Sequence, residues 1–354
     1  MADLSSLPLE VLVNIALHMD ISEVLFFCGL SKRINRKVCQ RRYFWQLLLA
    51  KENLNIPPDL IYKNGKFNWL LYFLIKYPKK EWDWYELSRN RNITFDIIKN
   101  YPDKKWKWSG LSQNPNITWE TVRANPDINW SWYYLARNPN ITWEIIQDNF
   151  DKPWNWLALA GNPNITFEII QKYISKWDWL ELSNNFHITS EIIINNLDKN
   201  WNFHSLSRNS NITWEIIKKV PERYWNWSEL SQNPGITWEI VQKYPEKDWD
   251  WFYLSMNPNI TPKIVEEYSN LPWSWSGLSR NPNITWEFIQ NSPDNKLNWF
   301  FLSENPNITR EIISNNLNKP WDWQALSRNP NITWEIIYDN FNKPWDWSEL
   351  SSKR

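Results

Sequence analysis

Glycine is scarce in this chain of 354 residues: Gly29, Gly65, Gly110, Gly161, Gly235 and Gly277 are its six. None lies near another, so neither a GxGxxG loop nor a Walker phosphate loop exists, and nucleotide binding by those motifs is excluded. The two cysteines, Cys28 and Cys39, and the three histidines, His18, His187 and His204, cannot furnish a four-ligand structural zinc site. CxxC and HExxH spacings are also missing, so no metal is expected. Both cysteines read as small buried apolar groups. No apolar run reaches about 18 residues, which excludes a membrane-spanning helix. The start, Met1-Ala2-Asp3-Leu4-Ser5-Ser6, carries an acid early and lacks the basic-then-apolar pattern of a secretory signal. With so few cysteines, the reducing cytosol or nucleus is the expected setting. Net charge is missing too: 39 basic residues meet 39 acidic ones, which disfavours a broad grip on nucleic acid or an anionic membrane.

What the chain has in excess is tryptophan, 30 residues of it. Such an excess calls for a repeated structural cause. The second aromatic of a W-x-W motif falls at Trp84, Trp108, Trp132, Trp156, Trp179, Phe203, Trp227, Trp251, Trp275, Trp299, Trp323 and Trp347, a period of 24 with one interval of 23. All but Trp45 and Trp69 of the tryptophans occupy just three repeat positions.

The repeat beginning at Trp249 predicts two short helices. Asp250 caps the first, with Trp249 and Leu254 placed to form a hydrophobic staple. Thr261 caps the second, because Pro262 is tolerated at the first helical position and costs about 3 kcal/mol further inside. An acid two residues after the threonine complements the helix dipole in most copies. Asn-Pro-Asn between the helices ends the first of them. The nine Asn-Ile-Thr sequences, formally glycosylation sequons, read as a turn followed by a cap.

Helices this short cannot bury an apolar stripe alone, so the repeats must stack. Helix axes about 8–10 Å apart give a rod or superhelix with a contour on the order of 100 Å. The small residue after each staple leucine, serine in most copies and alanine at Ala136 and Ala160, suits close helix approach. The core Leu-Ser-Arg-Asn-Pro-Asn-Ile-Thr-Trp-Glu-Ile-Ile resembles the bacterial leucine-rich-variant repeat over residues 82–350, although the W-x-W dipeptide is foreign to that family. The resemblance implies alternating α and 3₁₀ helices in a right-handed superhelix.

Residues 4–49 do not follow the repeat. Leu7-Pro8-Leu9-Glu10, the aliphatic Ile15, Asp20-Ile21 and the closing Trp45 resemble the F-box. In that family the module docks on the ubiquitin-ligase adaptor Skp1, which implies that Leu7, Pro8, Leu12, Ile15 and Val24 carry the contact. Ile34 departs from the aromatic that many members have there. An F-box joined to a solenoid also resembles the repeat proteins of mimivirus-type giant DNA viruses, implying the cytoplasm or nucleus of an infected eukaryotic host cell.

The expected fold is therefore all-α: a three-helix module over residues 1–50, residues 51–81 as the N-terminal cap of a solenoid, and an α-solenoid of about eleven 24-residue helix pairs over 82–354. The carboxylates sit at caps, and no nucleophile, histidine and acid cluster in sequence, so neither an enzyme nor a cofactor is expected. The basic group Lys32, Arg33, Arg36, Lys37, Arg41 and Arg42 reads as a solvated helix face ahead of an import signal. The favoured function is a substrate-recruiting adaptor of a Skp1–cullin–F-box ubiquitin ligase. Its rival is a scaffold or decoy that binds without ubiquitin transfer. Single-strand nucleic-acid binding on Trp119, Trp143, Trp238 and Trp286 is disfavoured by the zero net charge.

For the target, positions 85, 86 and 89 of the first helix and their equivalents point outward on the helical wheel. There Phe252, Tyr253, Phe300 and Phe301 form the expected protein-binding strip, with Arg280 and Arg328 as rim charges and gaps at Gly110 and Gly277. The alternative is that these aromatics merely pack against adjoining repeats.

Overall fold

Pro8 opens the first helix, α1 (Leu9–His18), and Asp20 opens α2 (Ile21–Gly29) with a reciprocal capping box. In it Glu23 N donates to Asp20 Oδ1 at 2.8 Å, and Asp20 N donates to Glu23 Oε2 at 2.9 Å. The computed structural model describes residues 7–30, 32–64, 66–292 and 297–353, without the side chains of Arg33 and Lys37. Leu4, Ser31, Gly65 and those two basic side chains therefore lie outside the described residues. The third helical segment is broken: α3 (Lys32–Ile34) runs into a π turn (Asn35–Cys39), and α4 (Arg42–Lys51) follows. Leu12, Ala16, Ile21, Val24, Phe27, Ile34, Val38, Phe44, Trp45 and Leu48 fill the core of this module. Trp45 Nε1 donates to Cys39 O at 2.6 Å.

The cysteines differ from expectation. Both are buried, but as one Cys28–Cys39 disulfide that ties α2 to the π turn. The helical hairpin brings residues 11 apart in sequence to a Cα separation of 6.0 Å, within bonding reach.

Residues 52–68 hold α5 (Pro58–Ile61) and a small antiparallel hairpin, β1 (Tyr62–Lys63) with β2 (Lys66–Phe67). The hairpin carries an aromatic relay from α4 to α6 (Trp69–Lys76): Trp45 stacks on Tyr62 at 4.6 Å, and Phe67 meets Trp69 edge-on at 4.9 Å.

From Trp82 onward each repeat is a first helix of four to six residues and a second of six, as in Trp251–Met256 and Pro262–Glu267. Both are α-helices, so the implied 3₁₀ alternation does not occur. Among the described residues 3₁₀ turns appear only at Ile174–Lys176 and Glu222–Tyr224, between repeats. Asn257, held extended before Pro258 (φ −61, ψ 132), ends the first helix as the proline requires.

The chain divides into two compact units, residues 107–332 and residues 1–106 with 333–354. Within 107–332, polar groups of successive repeats form a ladder. Ser231 Oγ donates to Trp227 O at 2.8 Å and accepts from Asp250 N, in the next repeat, at 2.9 Å. Asn257, which is buried, donates to Ser231 O and Asn233 O of the preceding repeat at 2.8 and 3.0 Å. The second asparagine of the turn, Asn259, donates to Pro234 O and Ile236 O at 2.8 and 2.9 Å. That employs the sequon amide structurally. Trp249 Nε1 donates to Tyr244 O at 2.9 Å, and the Trp249 ring meets Trp227 edge-on at 5.1 Å.

In the other unit the same ladder joins the last repeat to the first. Asp83 N donates to Ser351 Oγ at 3.0 Å, and Asn90 Nδ2 donates to Ser351 O and Lys353 O at 2.9 and 2.8 Å. Trp82 meets Trp347 edge-on at 5.1 Å. Beside the first helix Trp347–Leu350, the position that the second helix holds in other repeats is filled from elsewhere in the chain. Helix α6 takes that place. Phe73 packs on Trp334 and Trp347 at 5.2 and 5.8 Å, Tyr77 stacks on Phe341 at 4.3 Å, and Trp69 Nε1 donates to Glu335 Oε1 at 2.8 Å. Residues 69–76 thus complete this half-repeat. The reason is burial: without a neighbour, the apolar faces of both terminal repeats would meet water.

Candidate protein-binding surfaces

Two surfaces stand out, one in the N-terminal module and one on the first helices of repeats within residues 107–332. On α1 the spacing of three and four residues puts Pro8, Val11 and Ile15 on one stripe, with Leu12 and Ala16 turned inward. Pro8 is exposed, and Leu7 and Ile15 are half-buried. Leu12 and Val24, expected to touch a partner, are instead wholly inside the module and unavailable while it is folded. Sequence reasoning also missed Val11, Phe26, Leu30 and Tyr43, which are all exposed; Phe26 is the most open of these at 73%. Only one of the adjacent Phe26 and Phe27 can face the core of a helix packed on one side, and that one is Phe27.

On the repeats, the leucine and serine at positions 87 and 88 and their equivalents are buried throughout, leaving positions 85, 86 and 89 to form the other face. Position 86 alternates between large and small: Gly110, Tyr134, Ala158, Glu181, Ser205, Glu229, then Tyr253, Gly277, Phe301, Ala325. The small members are contact points and not the gaps expected at Gly110 and Gly277. A Cβ on Gly277 would lie 2.4 Å from Phe252 O, so neighbouring first helices approach there as only glycine allows. Large side chains then reach across the small one between them. Arg137 passes over Gly161 to Glu181 at 3.3 Å, and Phe252 meets Phe301 at 6.3 Å across the repeat that holds Gly277.

The alternation slips once, at Glu229 and Tyr253, where two large residues follow each other. A recess of about 470 Å³ lies there, lined by Arg208, Glu229, Gln232, Tyr253, Met256, Arg280, Glu304 and Asn305. The expected strip borders it. Phe252 and Tyr253 meet edge-on at 5.3 Å, as do Phe300 and Phe301, and Arg280 lies over the Phe301 ring at 4.5 Å. Phe300 is 38% exposed, whereas Phe252, Tyr253 and Phe301 are half-buried against one another. The two rim arginines are not independent charges: Glu304 accepts from Arg280 at 2.9 Å and from Arg328 at 3.1 Å. Glu229 is held by Gln232 at 2.6 Å and Arg208 at 3.4 Å. Both glutamates could have been suspected from their position on the strip, but their arginine partners come from the neighbouring repeats.

The shoulder aromatics Trp119, Trp143 and Trp238 are buried, so they offer no open stacking platform for bases. The acids at the second helical position have another use. The Thr118, Thr166 and Thr237 hydroxyls, bonded to Glu120, Glu168 and Glu239, hold those carboxyls below the ordinary glutamate range, aided by each glutamate's own N–H. No helix among the described residues is long and apolar enough to cross a membrane. Comparison of the chain with protein-family models, with curated proteins and with solved structures finds no match.

Proposed function

We propose that the chain is a substrate-recruiting adaptor of a Skp1–cullin–F-box type ubiquitin ligase. Residues 1–50 act as an F-box that docks on a Skp1-like adaptor, and the first-helix face of the repeats holds the target protein. The observation that carries the reading is the apolar stripe of exposed Pro8 and Val11 and half-buried Ile15, with exposed Phe26 on α2 and Leu30 just after it, in a small helical module attached to a large repeat array. Apolar side chains held in water on a rigid helix are typical of a surface awaiting a partner. The strip Phe252, Tyr253, Phe300, Phe301, Arg280 and Arg328 supports the second half, because aromatic and arginine side chains supply most binding hot spots. The cytoplasm or nucleus of a host cell is the setting this reading requires.

Affinity capture tests it. Pro8→Ala, Ile15→Ala and Phe26→Ser together should abolish co-purification of Skp1 and keep targets bound to the repeats. Serine at Phe252, Tyr253, Phe300 and Phe301 should do the reverse. Skp1 retained by the first variant, or absent from the wild-type chain, refutes the adaptor reading.

A further inference from the structure

The recess at the slip in the repeat alternation has an uneven distribution of charge. Its carboxylates are the hidden partners: the side chains of Glu229 and Glu304 are 11% and 13% exposed. Its guanidinium groups are the open ones, with Arg208 at 61% and Arg280 at 37%; Arg328, paired with Glu304 just outside the lining, is 39% exposed. A neutral chain therefore shows a partner a positive surface at this place. We propose that the recess takes an extended acidic segment of the target protein, its carboxylates on Arg208 and Arg280 and an apolar side chain against Tyr253 and Met256. This deepens the reading that the repeats hold a protein, and rests on it.

Three features favour that occupant. Arginine carries five N–H donors in a planar fork, and the glutamates below use only some of them. A carboxylate arriving from outside meets donors of the same geometry that already binds Glu304. Second, Arg280 is fixed before any partner arrives, between Glu304 and the Phe301 ring, so little side-chain entropy remains to be lost on binding. Third, lysine, the chain's commoner cation, occupies none of positions 85, 86 and 89 within residues 107–332, so the cations on this face are of the type that holds a fixed geometry. A nucleic acid fits less well. The lining's two arginines are matched by two glutamates, Arg328 beside it adds a single positive charge, and the little-exposed carboxylates repel a polyphosphate that needs many cations.

The test titrates the full chain with a fluorescein-labelled, capped peptide of alternating glutamate and leucine, read by fluorescence anisotropy. A lysine–leucine peptide and an oligothymidylate of equal length serve as the other probes. Only the acidic peptide should bind, less tightly at high salt. Arg208→Gln with Arg280→Gln should weaken it about tenfold, and Arg208→Gln alone, an exposed change that leaves the fold intact, about threefold. Lys218→Gln with Lys219→Gln, away from the recess, should leave it unchanged. No binding by the wild-type chain, equal loss in the lysine variant, or oligothymidylate binding that the arginine changes abolish would each overturn the proposal. If the peptide fails while the four-serine variant still loses its targets, the acidic reading alone falls; targets retained by the four-serine variant remove the target-holding reading beneath it.

Discussion

At the scale of single residues, each recurrent side chain performs two tasks, and the sequence displays only one of them. Thr285 accepts a cap bond from Phe288 N at 3.2 Å, whereas Thr237 makes no such bond and spends its hydroxyl on Glu239. Thr285→Ala should therefore cost about 1 kcal/mol and Thr237→Ala clearly less, as read from urea unfolding midpoints. Thr237→Ala should also return the Glu239 carboxyl toward its ordinary pKa, visible by NMR titration. Because the folded-state pKa of such glutamates is depressed, their contribution is present above the ordinary value of about 4.3 and is lost as pH falls through it toward the folded value. Replacing the three threonines Thr118, Thr166 and Thr237 by valine should flatten that part of the acid-unfolding curve. Leu230, fully buried at the staple position, should cost about 2–5 kcal/mol when cut to alanine. Indole nitrogens tell the same story of double use. Trp249 Nε1 reaches Tyr244 O, but Trp225 Nε1 is buried without a hydrogen-bond partner. Val220 takes the place of Tyr244 there and is extended (ψ 136 against 59), which turns its carbonyl away.

At the scale of the helix, periodicity and capping grammar were enough to read the repeat. Proline and the cap residues limit each helix so tightly that Trp251 begins one and Pro262 the next, where the sequence places them. The N-terminal module was less legible, since the π turn at Asn35–Cys39 and the disulfide depend on how three segments pack. Closing a loop of this length stabilises by about 3 kcal/mol in the chain-entropy account. Cys28→Ser with Cys39→Ser should lower the melting temperature of the module and leave residues 107–332 unaffected, as differential scanning calorimetry of the full chain would show. Helix α6 was read as a cap because Leu71, Leu74 and Tyr77-Pro78 imitate a second helix. What it caps could not be read, because its partners Trp334, Phe341 and Trp347 lie more than 250 residues away in sequence. Phe73→Ala should cost about 3–5 kcal/mol and raise amide exchange in residues 334–353 together with residues 69–76. Unchanged exchange in 334–353 would show that α6 does not hold the last repeat.

For the whole molecule, the N-terminal part and the final repeat are linked structurally. Glu52, just after α4, accepts from Tyr72 Oη at 3.2 Å and pairs with Lys76 Nζ, tying the module to the helix that completes the array. Burial and the Glu52 charge push the Tyr72 hydroxyl far above its usual range, so it stays a neutral donor. Deleting residues 1–81 should therefore disturb residues 334–353 as well, and point variants on the apolar stripe are the sound way to separate the two proposed functions. The candidate site was legible as a set of aromatic and arginine positions, because a helical wheel shows which slots face away from the seam. Its charge pattern was not, since the low exposure of Glu229 and Glu304 arises only when neighbouring repeats pack together. The measurement that bears most directly on the adaptor reading is isothermal titration calorimetry of the purified full chain with purified Skp1. The account predicts a one-to-one complex, lost when Pro8, Ile15 and Phe26 are changed together although thermal unfolding is unaltered. Absence of heat with the wild-type chain, or undiminished binding by the folded variant, would contradict it.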